Sequence, residues 1–407
     1  MDLHFIKDKD KDKDKDKDIP KTTKIIFYST CETGYHKKNL KCNVSLSNNN
    51  VFGSSFKLSS DNMKFIASGS YNNTYMIDDN FVIRLSKLDE SNNEKYDKIK
   101  QLEENGLYYQ ALMSKSSKEG GLNCPYICKV YDFGNYNIID KSHQIDNLEI
   151  IDRTDGIYGI IENLRGGELF NFVQTNTFVT LDSVTKLSVI SHFVYQILKA
   201  LECMHKNGFC HLDLKLENIL LCNQDNQDNY DIKLIDFGFI YNFTNKNLIH
   251  KVGTDIYRSP EMENSDFEKI NGKSDIWSLG IIIIISLVLK PPNLVTKGKY
   301  KYYTYDKSVF QHIKDIYGLD VYLFCINVLK INSDKRWDVS ECLNSDFLKS
   351  NEDRQKEILQ EEILQEQYKK DLELEKITKN YNILMSNFQM GGKYKQKYKK
   401  YKKLYLK

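Results

Sequence analysis

The sequence predicts an α+β fold, with short strands first and helices after them. Three observations carry that expectation. Short strand-like runs separated by turn residues occupy Met63 to Leu85. Val184, Leu187, Ile190, Val194, Ile197, Leu201 and Met204 recur every three or four residues, the period of one helix face. After that helix comes His211-Leu212-Asp213-Leu214-Lys215-Leu216-Glu217-Asn218, a loop that sets a carboxylate, an ammonium and an amide at fixed offsets. A second carboxylate, Asp236, follows in Asp236-Phe237-Gly238.

At 407 residues and 41% hydrophobic content, the chain can bury a sizeable core and hold one large or two medium domains plus tails. A formal net charge of +2 gives no global reason for a nucleic-acid or membrane partner, although both ends are locally extreme. The cysteines lack C-x-x-C spacing and read as reduced thiols of an intracellular protein. Cys31, His36 and Cys42 match no usual zinc spacing. The N-terminus shows no signal-peptide hydrophobic region. The longest apolar run, Ile276 to Leu289, is too short to span a membrane. These absences predict a cytoplasmic protein with no transmembrane segment.

The elements follow in order. Residues 7–18 are Lys-Asp repeats, which bury no apolar surface and predict disorder. Residues 19–60 mix short apolar runs with Ser and Asn clusters and predict an irregular extension with one or two strands. Phe65 to Ile77 reads as a hairpin and Phe81-Val82-Ile83-Arg84-Leu85 as the next strand. Residues 94–115 carry a helical pattern; Pro125 to Tyr131 reads as the strand after it, and 134–155 as an insertion. Ile157 to Leu164 predicts a buried strand, and a helix start follows Gly166-Gly167. The long helix ends at Gly208. Ile219 to Cys222 and Ile232 to Ile235 predict a short hairpin that delivers Asp236, and a buried helix opens near Ser274-Asp275. Lys356 to Glu366 predicts an extended charged helix. From Lys393 to Lys407, Tyr394, Tyr398, Tyr401 and Tyr405 fall on one helix face among lysines. That basic face suits an anionic partner (nucleic acid, acidic protein or membrane surface), against the plainer reading of a solvated tail.

The loop carries the chemistry. Asp213 suits a group that orients a hydroxyl and takes its proton, and Lys215 suits charge on a transferring phosphoryl group. Asn218 and Asp236 are hard oxygen ligands for Mg²⁺. His-x-Asp-x-Lys-x-x-Asn followed by Asp-Phe-Gly resembles the catalytic core of eukaryotic-type serine/threonine protein kinases. The triplet alone says little, since Asp132-Phe133-Gly134 has no such loop before it. Gly253-Thr254-Asp255-Ile256-Tyr257-Arg258-Ser259-Pro260-Glu261 resembles the family's G-T-x-x-Y-x-A-P-E, with Ser259 for alanine. Ser274 to Gly280 and Ser333 to Trp337 resemble two further family elements.

The resemblance implies the α+β two-lobed protein-kinase fold over residues 61–348, between an extension at 1–60 and a charged tail at 349–407. It implies ATP and Mg²⁺ as cofactors and serine or threonine hydroxyls of protein substrates as acceptors. Asp213 and Lys215 become the catalytic pair, and Asn218 and Asp236 the metal ligands. Ile66, Ala67, Gly69, Ser70, Asn72 and Thr74 cover the nucleotide, Arg84 meets its phosphates, and backbone groups of Glu162 and Leu164 bind adenine in front of Ile161. By the same resemblance Thr254 bonds Asp213 and Lys215, Asp275 holds the catalytic-loop backbone, and Arg336 pairs with Glu261.

Three departures stand out. Of the three loop glycines only Gly69 is present, with Ala67 and Asn72 at the outer positions. Arg84 stands where the family has lysine, which opens the alternative of a pseudokinase or ATP-binding scaffold. Its helix partner is Glu103 or Glu104, with Glu104 favoured, and Lys87 points to the opposite strand face. Leu212 replaces an arginine that, in the family, pairs with an activation-segment phosphate, so activity independent of that phosphate is expected. The Asn-, Ile-, Lys- and Tyr-rich composition and the Lys/Tyr tail also resemble kinases of large DNA viruses, which implies host cytoplasm or virion as the location.

Overall fold

A computed structural model describes residues 24–29, 55–59, 63–69, 71–87, 93–139, 156–223, 230–245, 248 and 250–348. The expectations for residues 7–18 and for the tail beyond 349 fall outside them, as does Ser70. By its internal contacts the chain divides after Leu348, and the described residues belong to the first unit.

That unit begins with a sheet. Strands β1 (Lys24–Ser29), β2 (Ser55–Ser59), β3 (Lys64–Ser68), β4 (Asn72–Met76) and β5 (Phe81–Ser86) lead to helix α1 (Asn93–Ser114), then β6 (Val130–Ile139) and β7 (Gly156–Glu162). The seven strands pair antiparallel in the order β2-β1-β6-β7-β5-β4-β3. The 19–60 region therefore supplies two strands, which extend the sheet at the β6 edge. The insertion expected from 134 begins later, because β6 runs on to Ile139, and Asp132-Phe133-Gly134 lies inside that strand.

The large lobe opens with β8 (Gly167–Glu168), α2 (Leu169–Phe172), α3 (Asn176–Val179) and α4 (Ser183–Lys206). Then come β9 (Phe209–Cys210), β10 (Ile219–Leu221), β11 (Ile232–Leu234) and β12 (Tyr241–Asn242). They are followed by α5 (Pro260–Glu263), α6 (Gly272–Val288), β13 (Asn293–Lys297), β14 (Tyr300–Thr304), α7 (Lys307–Tyr317), α8 (Leu319–Val328) and α9 (Val339–Leu343). Asp182 caps α4 by accepting from the N–H groups of Val184 and Thr185. Its apolar stripe joins α6, which is buried on all sides from Ser274 to Leu287, in one core. Asn271 caps α6 through the Lys273 N–H.

Helix α1 couples the lobes. Its sheet-facing stripe is Ile99, Glu103, Leu107 and Ala111, all buried and four residues apart. Leu107 packs where a Cβ on Gly159 would lie 2.4 Å from its Cδ2, and a Cβ on Gly106 would come within 3.0 Å of the Gly238 nitrogen. Small residues thus let α1 lie directly on Asp236-Phe237-Gly238. Beyond α1, Cys124 is joined to Cys203 of α4 by a disulfide. This corrects the reading of all cysteines as free thiols: sequence spacing says nothing about two residues 79 positions apart that folding brings together. Cys128, Cys210, Cys222, Cys325 and Cys342 are free. No helix among the described residues is long and apolar enough to cross a membrane.

Candidate active site

A cleft of about 1230 Å³ lies between the sheet and the helical lobe. Ile66, Ala67, Gly69, Asn72, Thr74, Arg84, Glu162, Leu164, Asp213, Lys215, Asn218 and Asp236 all line it. Every described residue expected at the site therefore meets in one place. Lys87 lines the same cleft, contrary to the simple alternation argument, because it follows the end of β5.

The loop before Asn218 is fixed from below. Asp275, fully buried at the start of α6, accepts the N–H of His211 and of Leu212 at 2.9 Å each, and meets His205 Nε2 at 2.9 Å. Leu212 adopts φ 62° and Asp236 φ 64°, left-handed conformations that non-glycine residues hold only under tertiary constraint. His211 Nε2 meets the Ile235 carbonyl at 3.1 Å, tying the loop to the strand that delivers Asp236.

The residues expected to be catalytic then converge. Asp213 Oδ1 accepts both the Thr254 N–H (2.9 Å) and its hydroxyl (2.8 Å). Asp213 Oδ2 accepts Asn218 Nδ2 at 3.0 Å and lies 3.2 Å from Lys215 Nζ, which also donates to Thr254 Oγ1 at 2.8 Å. Gly253 makes this possible. At φ 82° it brings the segment so close that a Cβ would sit 2.2 Å from the Leu212 carbonyl oxygen.

Across the cleft, Arg84 donates through Nε and Nη2 to the two oxygens of Glu103, each at 2.9 Å, and through Nη2 to Asp236 at 3.2 Å. The partner is Glu103, correcting the preference for Glu104. Glu103 lies on the buried stripe of α1, whereas Glu104 is one residue, about a quarter-turn, off it. Asn72 Nδ2 donates to the same Glu103 Oε1 at 3.0 Å, so the residue in the third glycine position clamps the hairpin to α1. Sequence reasoning missed this clamp, because nothing local in β4 points to a residue 31 positions away. Burial would raise the Asp236 carboxyl, but the charges of Arg84 and Lys215 hold it below the usual range. For Arg84 burial acts to lower the value, and Glu103 and Asp236 outweigh it, so the guanidinium stays charged.

Two structural bridges complete the frame. Arg336, buried, forks onto Glu261 at 2.7 and 2.9 Å, and Ser274 adds a third donor at 2.9 Å. Lys233 meets Glu162 at 2.6 Å where β7 ends beside the expected adenine site. Leu212 sits in an apolar cluster with Cys210, Tyr241, Val252, Met262 and Ile270. The segment between Asp236 and Glu261, where the resemblance places an activation segment, is held there by hydrophobic packing.

These two lobes, with carboxylates and cations facing each other across one cleft, define a protein-kinase-type domain. The chain belongs to the protein kinase family: the model of the protein kinase domain matches residues 112–348, more than half of it. Among its relatives is the serine/threonine-protein kinase unc-51 of Caenorhabditis elegans, 32% identical over 203 residues, 48% of this chain and 23% of that one. A probable myosin light chain kinase of Dictyostelium discoideum is 31% identical over 216 residues, 51% of this chain and 52% of the relative. Calcium-dependent protein kinase 4 of Plasmodium falciparum is 31% identical over 187 residues, 44% and 33% of the two chains. The matched stretch thus spans about half or less of these relatives' own lengths. A crystal structure of a kinase domain superposes with a TM-score of 0.50 at 16% identity, covering 71% of this chain and 95% of that one, which is a likeness of fold.

Proposed function

We propose that this chain is an ATP-dependent serine/threonine protein kinase, with its catalytic domain at residues 61–348. The observation that carries the reading is the Asp213–Lys215–Thr254 cluster facing Asn218 and Asp236 in one cleft. Ile66, Ala67, Gly69, Asn72 and Thr74 would cover the nucleotide, with Ser70 in the turn between them. Arg84 would meet its phosphates, and the Glu162 and Leu164 backbone its adenine.

The Asp213 carboxylate already accepts three hydrogen bonds and meets Lys215 as an ion pair. The acceptor hydroxyl would replace the longest contact, Lys215 at 3.2 Å, freeing that ammonium to face the transferring phosphoryl group. Asp213 then orients the hydroxyl and takes its proton. The donor set fits Mg²⁺. Asn218 spends its amide N–H groups on Asp213, which leaves its carbonyl oxygen for a cation, and Asp236 stays ionised beside it. When bound there, the ion neutralises phosphate charge. The protein's own part is positioning: Arg84 fixes Asp236, Asn218 and Thr254 fix Asp213, and Asp275 fixes the loop that carries them.

Composition and the Lys/Tyr run support two finer readings, an anionic partner for residues 393–407 and a viral kinase acting in the host cytoplasm or virion. The test of the main reading is phosphate transfer from labelled ATP by wild type and Asp213→Ala. Transfer lost in the variant supports it. Nucleotide binding with no transfer by wild type would make the chain a pseudokinase.

A further inference from the structure

Between α6 and α7 the chain forms a β-hairpin, β13–β14, whose two faces differ. On one face Tyr302 is buried, its ring edge-on to Trp277 with centroids 6.3 Å apart, and Val295 opposite it packs on the same core. Tyr305 anchors the base by donating its hydroxyl to the Lys290 carbonyl at 2.9 Å. The other face pairs Leu294 with Tyr303 and Thr296 with Lys301. Leu294 is 53% exposed.

This outer face adjoins the acceptor end of the cleft. Tyr303 and Pro291 line the cleft together with Asp213, Thr254 and Ile256. Asn264, one residue beyond α5, clasps β14 by accepting the Lys301 N–H at 2.9 Å and donating to the Lys301 carbonyl at 2.8 Å. The hairpin is therefore held to the segment that carries Thr254 and is not a free flap.

Its charge is of one sign. Lys301 on this face and Lys297 and Lys299 beside the turn are exposed, and among the described residues none of them has an acidic partner. The nearby carboxylates are already engaged, Asp255 by Arg258 and Glu263 by Arg258 and Lys251. Residues two apart on a strand face lie about 7 Å apart, the same step as in an extended peptide. Moving outward from the cleft, a bound chain would meet Tyr303 and Leu294 first and then Lys301 and the lysines at the turn.

We propose that this hairpin docks the stretch of protein substrate that flanks the phosphoacceptor, and that it selects an apolar residue near the acceptor followed by acidic residues. The proposal rests on the reading that the Asp213 end of the cleft receives a protein hydroxyl.

The test uses the full chain and serine peptides with a leucine near the acceptor and a block of Glu, Gln or Lys beyond it, placed on either side in separate peptides. Wild type should transfer phosphate to one Glu peptide with kcat/KM roughly 3- to 10-fold above its Gln counterpart, mostly through KM. Lys299→Glu/Lys301→Glu should invert the order in favour of the Lys peptide, and Leu294→Ala should weaken all peptides of that series. Equal kcat/KM for Glu and Gln peptides in wild type, or a ratio unmoved by the double variant, overturns the proposal. Fluorescence anisotropy of the labelled peptides without ATP separates the two readings. If no peptide is phosphorylated, the kinase reading fails, while tighter binding of the Glu peptide, lost in Lys299→Glu/Lys301→Glu, still supports docking. Equal binding of Glu and Gln peptides overturns it.

Discussion

Replacing Arg84 by lysine restores the family's residue, and the structure predicts that it lowers activity. The guanidinium makes two bonds to Glu103 at 2.9 Å and one to Asp236 at 3.2 Å. An ammonium keeps the charge but offers one donor centre with a shorter reach, which cannot span both Glu103 oxygens and Asp236. The loss is about one charge-assisted hydrogen bond, roughly 1.5–3 kcal/mol. Expressed in kcat/KM for ATP, that is about 10- to 150-fold. The assay is transfer from labelled ATP to a protein substrate across a range of ATP concentrations. Asn72 holds the same Glu103 oxygen at 3.0 Å, so Asn72→Gly and Arg84→Lys should be non-additive, with a coupling of about 0.5–3 kcal/mol. Arg84→Lys working as well as wild type, or losses that simply add in the double variant, would refute the idea that Arg84 and Asn72 form one clamp.

Other expectations follow from the frame. Arg336→Ala leaves Glu261 charged and buried, and should cost about 3–5 kcal/mol of stability in denaturant melts. Burial raises the Glu261 carboxyl, but the Arg336 hydrogen bonds and charge outweigh it and hold the value below its usual one. The pair's stability should then be present above the unfolded carboxyl value, about 4.3, and fade as pH falls through the lower folded value; a melt series in wild type and Arg336→Ala checks this. Cys203→Ser opens a bridge spanning 79 positions and should lower stability by roughly 2–4 kcal/mol, an effect that reductant reproduces in wild type only. Thr244 is an exposed threonine in the segment between Asp236 and Glu261; Thr244→Ala and phosphatase treatment should leave turnover unchanged, because the Leu212 cluster packs that segment without a phosphate. A phosphate-dependent activation step at Thr244 would contradict this.

The polar residues that meet in the cleft were legible because each belongs to a short motif at fixed spacing between apolar runs. Asp213, Lys215 and Asn218 share one loop, and the hairpin that delivers Asp236 is local. The Asp275 and Arg336 contacts were readable only through the family resemblance, since residues 63 and 75 positions from their partners leave no local trace. Glu103 had a local signal that was passed over: it continues the Ile99–Leu107–Ala111 stripe, and the polar neighbour does not. The two added strands, β1 and β2, were read only loosely, because an edge extension needs a partner strand that sequence periodicity does not name.

The sequence by itself determined the order of elements, the helix faces and the polar motifs proposed to react, because periodicity and spacing act within a few residues. Only the tertiary structure decided which glutamate Arg84 grips, that Asn72 joins it, that Cys124 meets Cys203, and that a hairpin near residue 300 lies beside Thr254. Those pairings depend on how α1, α4, α6 and the sheet pack. Distance along the chain does not constrain them, and distance in space does.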